Sequence, residues 1–549
     1  MDPYRDKQAQ QAIPQPETGF VAEMVRQFAD PYAFWRELVQ NSIDAGATEL
    51  RVTLHRSADG VVRSALADDG CGMTPEVVEG NLLTLFSSTK EGDESKVGKY
   101  GVGFVSVFSL DPGRVVVETW RDGHCYRLEL GRDHSYELLE VEPRQGSGTV
   151  VALENTFDVE AFQRHVEASR AALTRWCRHA RVPITLFASD ETGFGDSKPE
   201  RIDVPFGLPA LVTLTHEALG ERFVVGAGSV PEAPPSLEAH EHFSGFYKRG
   251  LTLYESDTEL FSGIEGVRFK VESEKLSHTL SRDNVRRDDE LVRVLEMVKQ
   301  LSRGPLRERL VERLAVAARE RDRASYLALL TASSLPGFGL GAAEVTIALT
   351  DAVGGATAMT VRELEAATPW RKPVLTATAP DALTAALAAQ GRPVVWTPSG
   401  EVERRLASFF DPRALLNPRS CRPAHQELVL LEALPDVPLC QHLAAILAAT
   451  SLGIRRARLA RVCGELDGRC ALAVPSGATL LARNDLGRGG PELWLDANAP
   501  AVVLALRKYD AQPAEVAQLV ARLVLLELGG ALSERDADHL LHASIRELG

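Results

Sequence analysis

An α/β (α+β) protein of three domains is what this sequence predicts. Three observations carry that expectation. Residues 30–190 alternate helix-like and strand-like stretches separated by turn residues. A Gly/Pro/Ser-rich break at residues 333–341 and a Pro-bearing stretch after residue 412 punctuate the rest. At 549 residues the chain has room for about three or four domains.

Helix periodicity runs over residues 25–45, with a break at Pro31. Residues 49–54 and 61–67 read as strands joined by a turn at Asp59-Gly60. Thr74 followed by Pro75 predicts a capped helix over residues 75–86. Residues 87–97 are polar and read as a loop. Strands follow around Val115, Tyr126 and Val150, then an amphipathic helix over residues 158–181 carrying Val159, Phe162, Val166, Ala172 and Trp176. Further on, strands are expected at residues 223–225, 251–254 and 266–271, with helices from Asp288. Two helical runs, residues 513–528 and 533–548, end the sequence.

Composition excludes several classes. Hydrophobic residues make up 44% and charged residues 25%, as in globular proteins. The net charge of −15 argues against sequence-independent nucleic-acid binding, which needs a large basic surface. The seven cysteines are scattered, odd in number and without CxxC spacing, so free thiols in a reducing cytoplasm are expected. The polar start predicts no signal peptide, and no uninterrupted apolar stretch is long enough to span a membrane. The excess of Arg over Lys suggests a G+C-rich bacterial genome.

Three motifs carry the chemistry. In residues 37–45 (ELVQNSIDA), Glu37, Asn41 and Asp44 are spaced i, i+4, i+7 and share one helix face. An amide oxygen there can ligate Mg²⁺, and a carboxylate can orient and deprotonate water. A solvated polar helix face explains the same pattern. The second motif, Asp68-Asp69-Gly70-Cys71-Gly72-Met73, follows a strand. Its glycines allow close backbone approach, and its carboxylate can accept from an adenine amino group. A plain Asp-Gly turn explains it as well. The third, residues 98–104 (GKYGVGF), is a Gly-rich loop that opens an apolar run, a pattern suited to phosphate. It has neither the preceding strand of a dinucleotide fingerprint nor the Gly-Lys-Ser/Thr of a P-loop.

In this order the motifs resemble those of the GHKL superfamily of ATPases, whose N-terminal Bergerat fold is a two-layer α/β sandwich. The superfamily includes heat-shock protein 90, DNA gyrase, histidine kinases and MutL. The resemblance implies ATP and Mg²⁺ as cofactors. It implies that Glu37 activates water, Asn41 holds Mg²⁺ and Asp68 reads adenine. It further places Asp44, Gly70, Gly72, Met73, Asn81, Lys90, Thr149 and the loop residues Gly98, Gly101, Val102, Gly103 and Phe104 around the nucleotide.

Within the superfamily the chain resembles the heat-shock protein 90 family, in a compact, HtpG-like bacterial form. The resemblance rests on residues 98–106 (GKYGVGFVS), Asn81-Leu82-Leu83-Thr84, Ser88-Thr89-Lys90, Gly148-Thr149-Val150 and residues 182–187 (VPITLF). Residues 277–287 (SHTLSRDNVRR) resemble the family's catalytic loop and imply that Arg282 reaches the γ-phosphate, as arginines do in phosphoryl transfer. Tyr247-Lys248-Arg249-Gly250-Leu251, residues 493–506 and residues 523–548 extend the likeness.

It implies a GHKL domain over residues 1–190 with a lid at about 74–98. An α/β middle domain would cover residues 191–412 and a mixed α/β dimerisation domain residues 413–549. It also implies a cytoplasmic homodimer acting on protein clients, with no membrane or nucleic-acid partner. Ser87 stands where the family has a lid lysine, and neither an acidic linker nor the family's terminal acidic tail is present. A MutL- or MORC-like clamp on nucleic acid and a nucleotide-gated scaffold are the alternatives.

Overall fold

The structure, a computed structural model, describes residues 30–78, 102–132, 135–192, 198–230, 237–240, 242–259, 261–277, 284–369, 372–407, 409, 421–486 and 489–548. It is a mixed α/β fold in two compact units. One unit comprises residues 1–229 and 233–302, the other residues 230–232 and 303–549.

The first unit begins with the helix Phe34–Asp44. Phe34, Trp35, Leu38 and Val39 recur at helical spacing and are buried, which commits that face to the core. The strands β1 (Leu50–Arg56), β2 (Val61–Asp68), β3 (Arg114–Arg121), β4 (His124–Gly131), β5 (Tyr136–Val141), β6 (Gly148–Thr156), β7 (Ile184–Asp190) and β8 (Glu200–Arg201) follow. They form one sheet in the order β5-β4-β3-β6-β2-β1-β7-β8. Among the described residues of this sheet, β1–β7 is parallel and the other neighbouring pairs are antiparallel. The helix Val159–Cys177 is capped by Asp158, whose carboxylate accepts from the Ala161 amide at 2.7 Å. Its Phe162, Val166, Leu173 and Trp176 join Leu50, Val52, Leu66, Val117 and Leu153 of the sheet in one hydrophobic cluster. Two helices over one sheet face make the expected two-layer sandwich.

The periodicity places β1, β2, β3, β4, β6 and the helix Val159–Cys177 to within a few residues. The first helix starts at Phe34 rather than at residue 25, with residues 25–29 outside the described residues, and β5, β7 and β8 were not predicted. Thr74 stands at the N-cap of the helix Pro75–Val77 in extended conformation, though its side chain makes no cap bond, and residues 79–86 of the expected helix lie outside the described residues.

A second sheet in the same unit contains β9 (Ala210–Ala218), β10 (Glu221–Ser229), β11 (Ser244–Lys248), β12 (Leu251–Ser256) and β13 (Arg268–Glu272), ordered β12-β11-β13-β10-β9. Between it and the end of the helix Val159–Cys177 lies a buried polar cluster. Lys270 is fully buried, bonds His179 Nε2 at 2.7 Å and pairs with Glu238. Arg178 Nη2 reaches Glu238 at 2.8 Å and Glu255 at 2.6 Å. Burial pushes the Lys270 ammonium down to about 8, against the pull of Glu238. Removing one member of such a cluster leaves an uncompensated buried charge, so it ties the second sheet to the end of the helix Val159–Cys177.

The other unit contains two more five-stranded sheets with helices packed on them. The last two helices are Pro513–Gly529 and Glu534–Leu548. No helix among the described residues is long and apolar enough to cross a membrane.

Candidate active site

Asp68 ends β2, the sheet's central run, and Leu50 opposite it opens β1. Its carboxylate is half-buried and accepts from Ser42 Oγ at 2.8 Å and from the Gly70 amide at 2.9 Å. Burial raises its pKa, while the bonds from Gly70, Ser42 and Thr149 act against that rise. Thr149 pairs with Asp68 across the β2–β6 ladder. The Thr119 hydroxyl lies 3.3 Å from the Thr149 hydroxyl and accepts from the Met73 amide at 2.7 Å. Asp68, Met73 and Thr149, predicted as neighbours, are thus brought together. Ser42 and Thr119 were missed. A serine inside the Glu37 helix was the available signal for Ser42, while Thr119 had none.

The two glycines of this turn are required by space. Gly72 has φ +64°, and a Cβ on it would collide with the Trp120 carbonyl oxygen. A Cβ on Gly70 would stand 2.9 Å from the Ala45 Cβ and 3.0 Å from Asp68 Oδ1. Asp69 faces away. It accepts from the amides of Thr48 at 2.7 Å and Glu49 at 3.0 Å, and bonds from Thr48 and Glu49 hold its carboxyl low. Its part is to fix the turn that enters β1.

On the helix Phe34–Asp44, Glu37 is half-buried, and Asn41 and Asp44 are exposed. Gly103 lies in the short helix Val102–Val105, where a Cβ would collide with Glu37 Oε2. The first and third motifs therefore meet at the Glu37 carboxylate. The Phe104 side chain is buried in the core cluster, so only its backbone can face a ligand. Asp44 is held by Gln40 Nε2 at 3.3 Å and by Arg249 from β11–β12. Asn81, Lys90, Gly98, Gly101 and Arg282, and the Val102 side chain, lie outside the described residues.

Residues 35–145 match the family described as "Histidine kinase-, DNA gyrase B-, and HSP90-like ATPase". The N-terminal part of this chain is a GHKL ATPase domain. Glu37, Asn41, Asp68 and Gly103 all fall inside the matched GHKL stretch. The chain is similar to Chaperone protein HtpG of Shouchella clausii, 23% identical over 341 residues, 51% of this chain and 53% of that protein. It is similar to Chaperone protein HtpG of Pseudoalteromonas translucida, 28% identical over 193 residues, 30% of each chain. It is also similar to human Mismatch repair endonuclease PMS2, 25% identical over 221 residues, 38% of this chain and 25% of that protein. Each match covers less than two thirds of the relative's own length.

The residues of the GHKL domain fit an adenine nucleotide. A half-buried carboxylate ringed by small polar groups suits the base, and the amide oxygen of Asn41 suits a hard cation beside phosphates.

Proposed function

We propose that this chain is an ATP-hydrolysing chaperone of the heat-shock protein 90 kind. In this reading it is a cytoplasmic homodimer that closes on protein clients. Residues 1–190 bind ATP and Mg²⁺, residues 191–412 form the middle domain, and residues 413–549 carry the dimer contact. ATP supplies the phosphoanhydride whose cleavage drives the cycle. Glu37 holds a water and accepts its proton. Asn41 would give its amide oxygen to Mg²⁺, Asp68 would accept from the base, and Asp44 stands one turn further along the same helix. Residues 98–104 hold the phosphates, Lys90 serves the lid in place of the missing lysine, and Arg282 stabilises charge at the γ-phosphate. The observation that carries the reading is the likeness to HtpG over 341 residues, well past the GHKL stretch.

The likeness to PMS2 favours a second reading, a clamp on nucleic acid. The net charge of −15 weighs against it. One experiment separates the two. ATP turnover is measured with added unfolded protein and with added duplex DNA, alongside aggregation of a heat-denatured reporter protein. A chaperone suppresses aggregation in an ATP-dependent way that the Glu37→Ala variant lacks. Stimulation by DNA alone supports the clamp.

A further inference from the structure

The turn joining β11 to β12 is Arg249-Gly250, with φ of 52° and 77°. A Cβ on Gly250 would collide with the His179 carbonyl oxygen, so the turn is pressed against the segment that follows the helix Val159–Cys177. From this fixed point the Arg249 guanidinium spans two carboxylates. Its Nη1 donates to Asp44 Oδ1, on the last turn of the Glu37 helix. Its Nε donates to Glu274 Oε2 at 3.1 Å, just beyond β13. The neighbouring Lys248 Nζ donates to the Leu276 carbonyl at 3.4 Å, and the Arg286 amide donates to the Ser277 carbonyl at 2.8 Å.

We propose that Arg249 is a positioning residue for ATP turnover, bridging the helix that carries Glu37 and Asn41 to the strand exit at Glu274. The inference rests on the ATPase reading and adds a residue that touches neither water nor nucleotide. The magnitudes favour position over stability. Side-chain exposure is 40% for Arg249, 39% for Asp44 and 46% for Glu274, and ion pairs this exposed add little to folding. The buried cluster of Lys270, His179, Glu238 and Arg178 already ties the second sheet to the end of the helix Val159–Cys177. What the bridge adds is direction, since it determines where the end of the Glu37 helix stands relative to β13. A misplacement of about 1 Å in a catalytic group costs up to about 100-fold in rate.

The test compares the full-length chain with Arg249→Ala, Arg249→Lys, Glu274→Gln, Asp44→Asn and the Asp44→Asn/Arg249→Ala double variant. Turnover, ATP affinity and melting temperature are measured for each. Arg249→Ala is expected to lose on the order of tenfold in kcat while ATP affinity stays within about twofold and the melting temperature within roughly 3 °C. Arg249→Lys should recover little, because one ammonium does not span two carboxylates as a planar guanidinium does. Glu274→Gln should lower kcat in the same direction, and the double variant should turn over no slower than the slower single variant. Unchanged kcat in Arg249→Ala, or losses that multiply in the double variant, would overturn the proposal.

If the wild-type chain binds ATP without hydrolysing it, the ATPase reading fails on its own. Hydrogen exchange then reads the bridge: ATP-induced protection at residues 274–277 should vanish in Arg249→Ala, and its persistence sinks the inference. A wild-type chain that does not bind ATP overturns both.

Discussion

At Glu37 the chain sets a carboxylate one helical turn from the amide of Asn41 and against the backbone of Gly103. Replacing Glu37 with Ala removes the proposed general base while Asn41 and Asp68 remain. Turnover should fall by about 10²–10⁴-fold with ATP still bound, which single-turnover kinetics and calorimetry check. Asp68→Asn should act on binding instead. It removes a charge-assisted acceptor, a loss of about 1.5–3 kcal/mol, and calorimetry showing unchanged affinity would refute the assignment. A third residue sets a pH dependence. His165 is buried between the Tyr32 hydroxyl at 3.2 Å and the Ser64 hydroxyl at 2.7 Å, and burial lowers its pKa from 6.5 to about 4. Below pH 6.5 the unfolded chain takes up a proton that the folded chain does not. The stability His165 contributes is therefore complete above about pH 6.5 and is lost as the pH falls through 4, by about 3 kcal/mol in all. Urea unfolding between pH 7.5 and 5 should show this slope, and His165→Gln should flatten it.

Among the elements, the helix Phe34–Asp44 bears most of the argument. One face is buried through Phe34, Trp35, Leu38 and Val39, while Glu37 stands against Gly103 and Asp44 bonds Arg249. The buried face was readable from 3.6-residue periodicity alone. The bond from Ser42 to Asp68 was not, because it joins positions 26 apart in sequence. The contact of Gly103 with Glu37 likewise needs the short helix Val102–Val105 to pack against the first. Gly103→Ala tests that packing: its Cβ collides with Glu37 Oε2, so the carboxylate must move. The expected outcome is a turnover defect approaching that of Glu37→Ala. Normal turnover would show that the contact has no bearing on the base.

On the scale of the whole molecule, the terminal helices divide their apolar residues between two uses. Val516, Val520, Val524, Leu525 and Leu540 are buried in their own unit's core. Leu519 and Leu526 of Pro513–Gly529, with Leu541 and Ile545 of Glu534–Leu548, are each at least half exposed. Exposed apolar pairs on two helices that pack on each other suit an isologous two-fold contact. The proposed dimer should therefore fall to monomers in the Leu526→Glu/Ile545→Glu variant, with the fold kept, as light scattering and circular dichroism would show. A deletion from residue 424 is a poorer test, because Leu428 packs with Leu375, Leu383 and Leu387 in one core cluster and the cut would open it.

The sequence by itself determined the α/β class, many of the periodic helices and strands, and three motifs from which Glu37, Asn41 and Asp68 are proposed as the chemical residues. Those signals are local: a helix face repeats every three to four residues, and a glycine turn is written in adjacent positions. Strands β9 and β11 escaped sequence reading, since the pairing that makes them a sheet joins distant residues. Only the tertiary structure decided that Ser42 bonds Asp68 and Thr119 bonds Thr149, and that Asp69 fixes a turn. It alone placed Arg249 between Asp44 and Glu274. A hydrogen bond between residues far apart leaves no period in the sequence, because its geometry exists only once the sheets have packed.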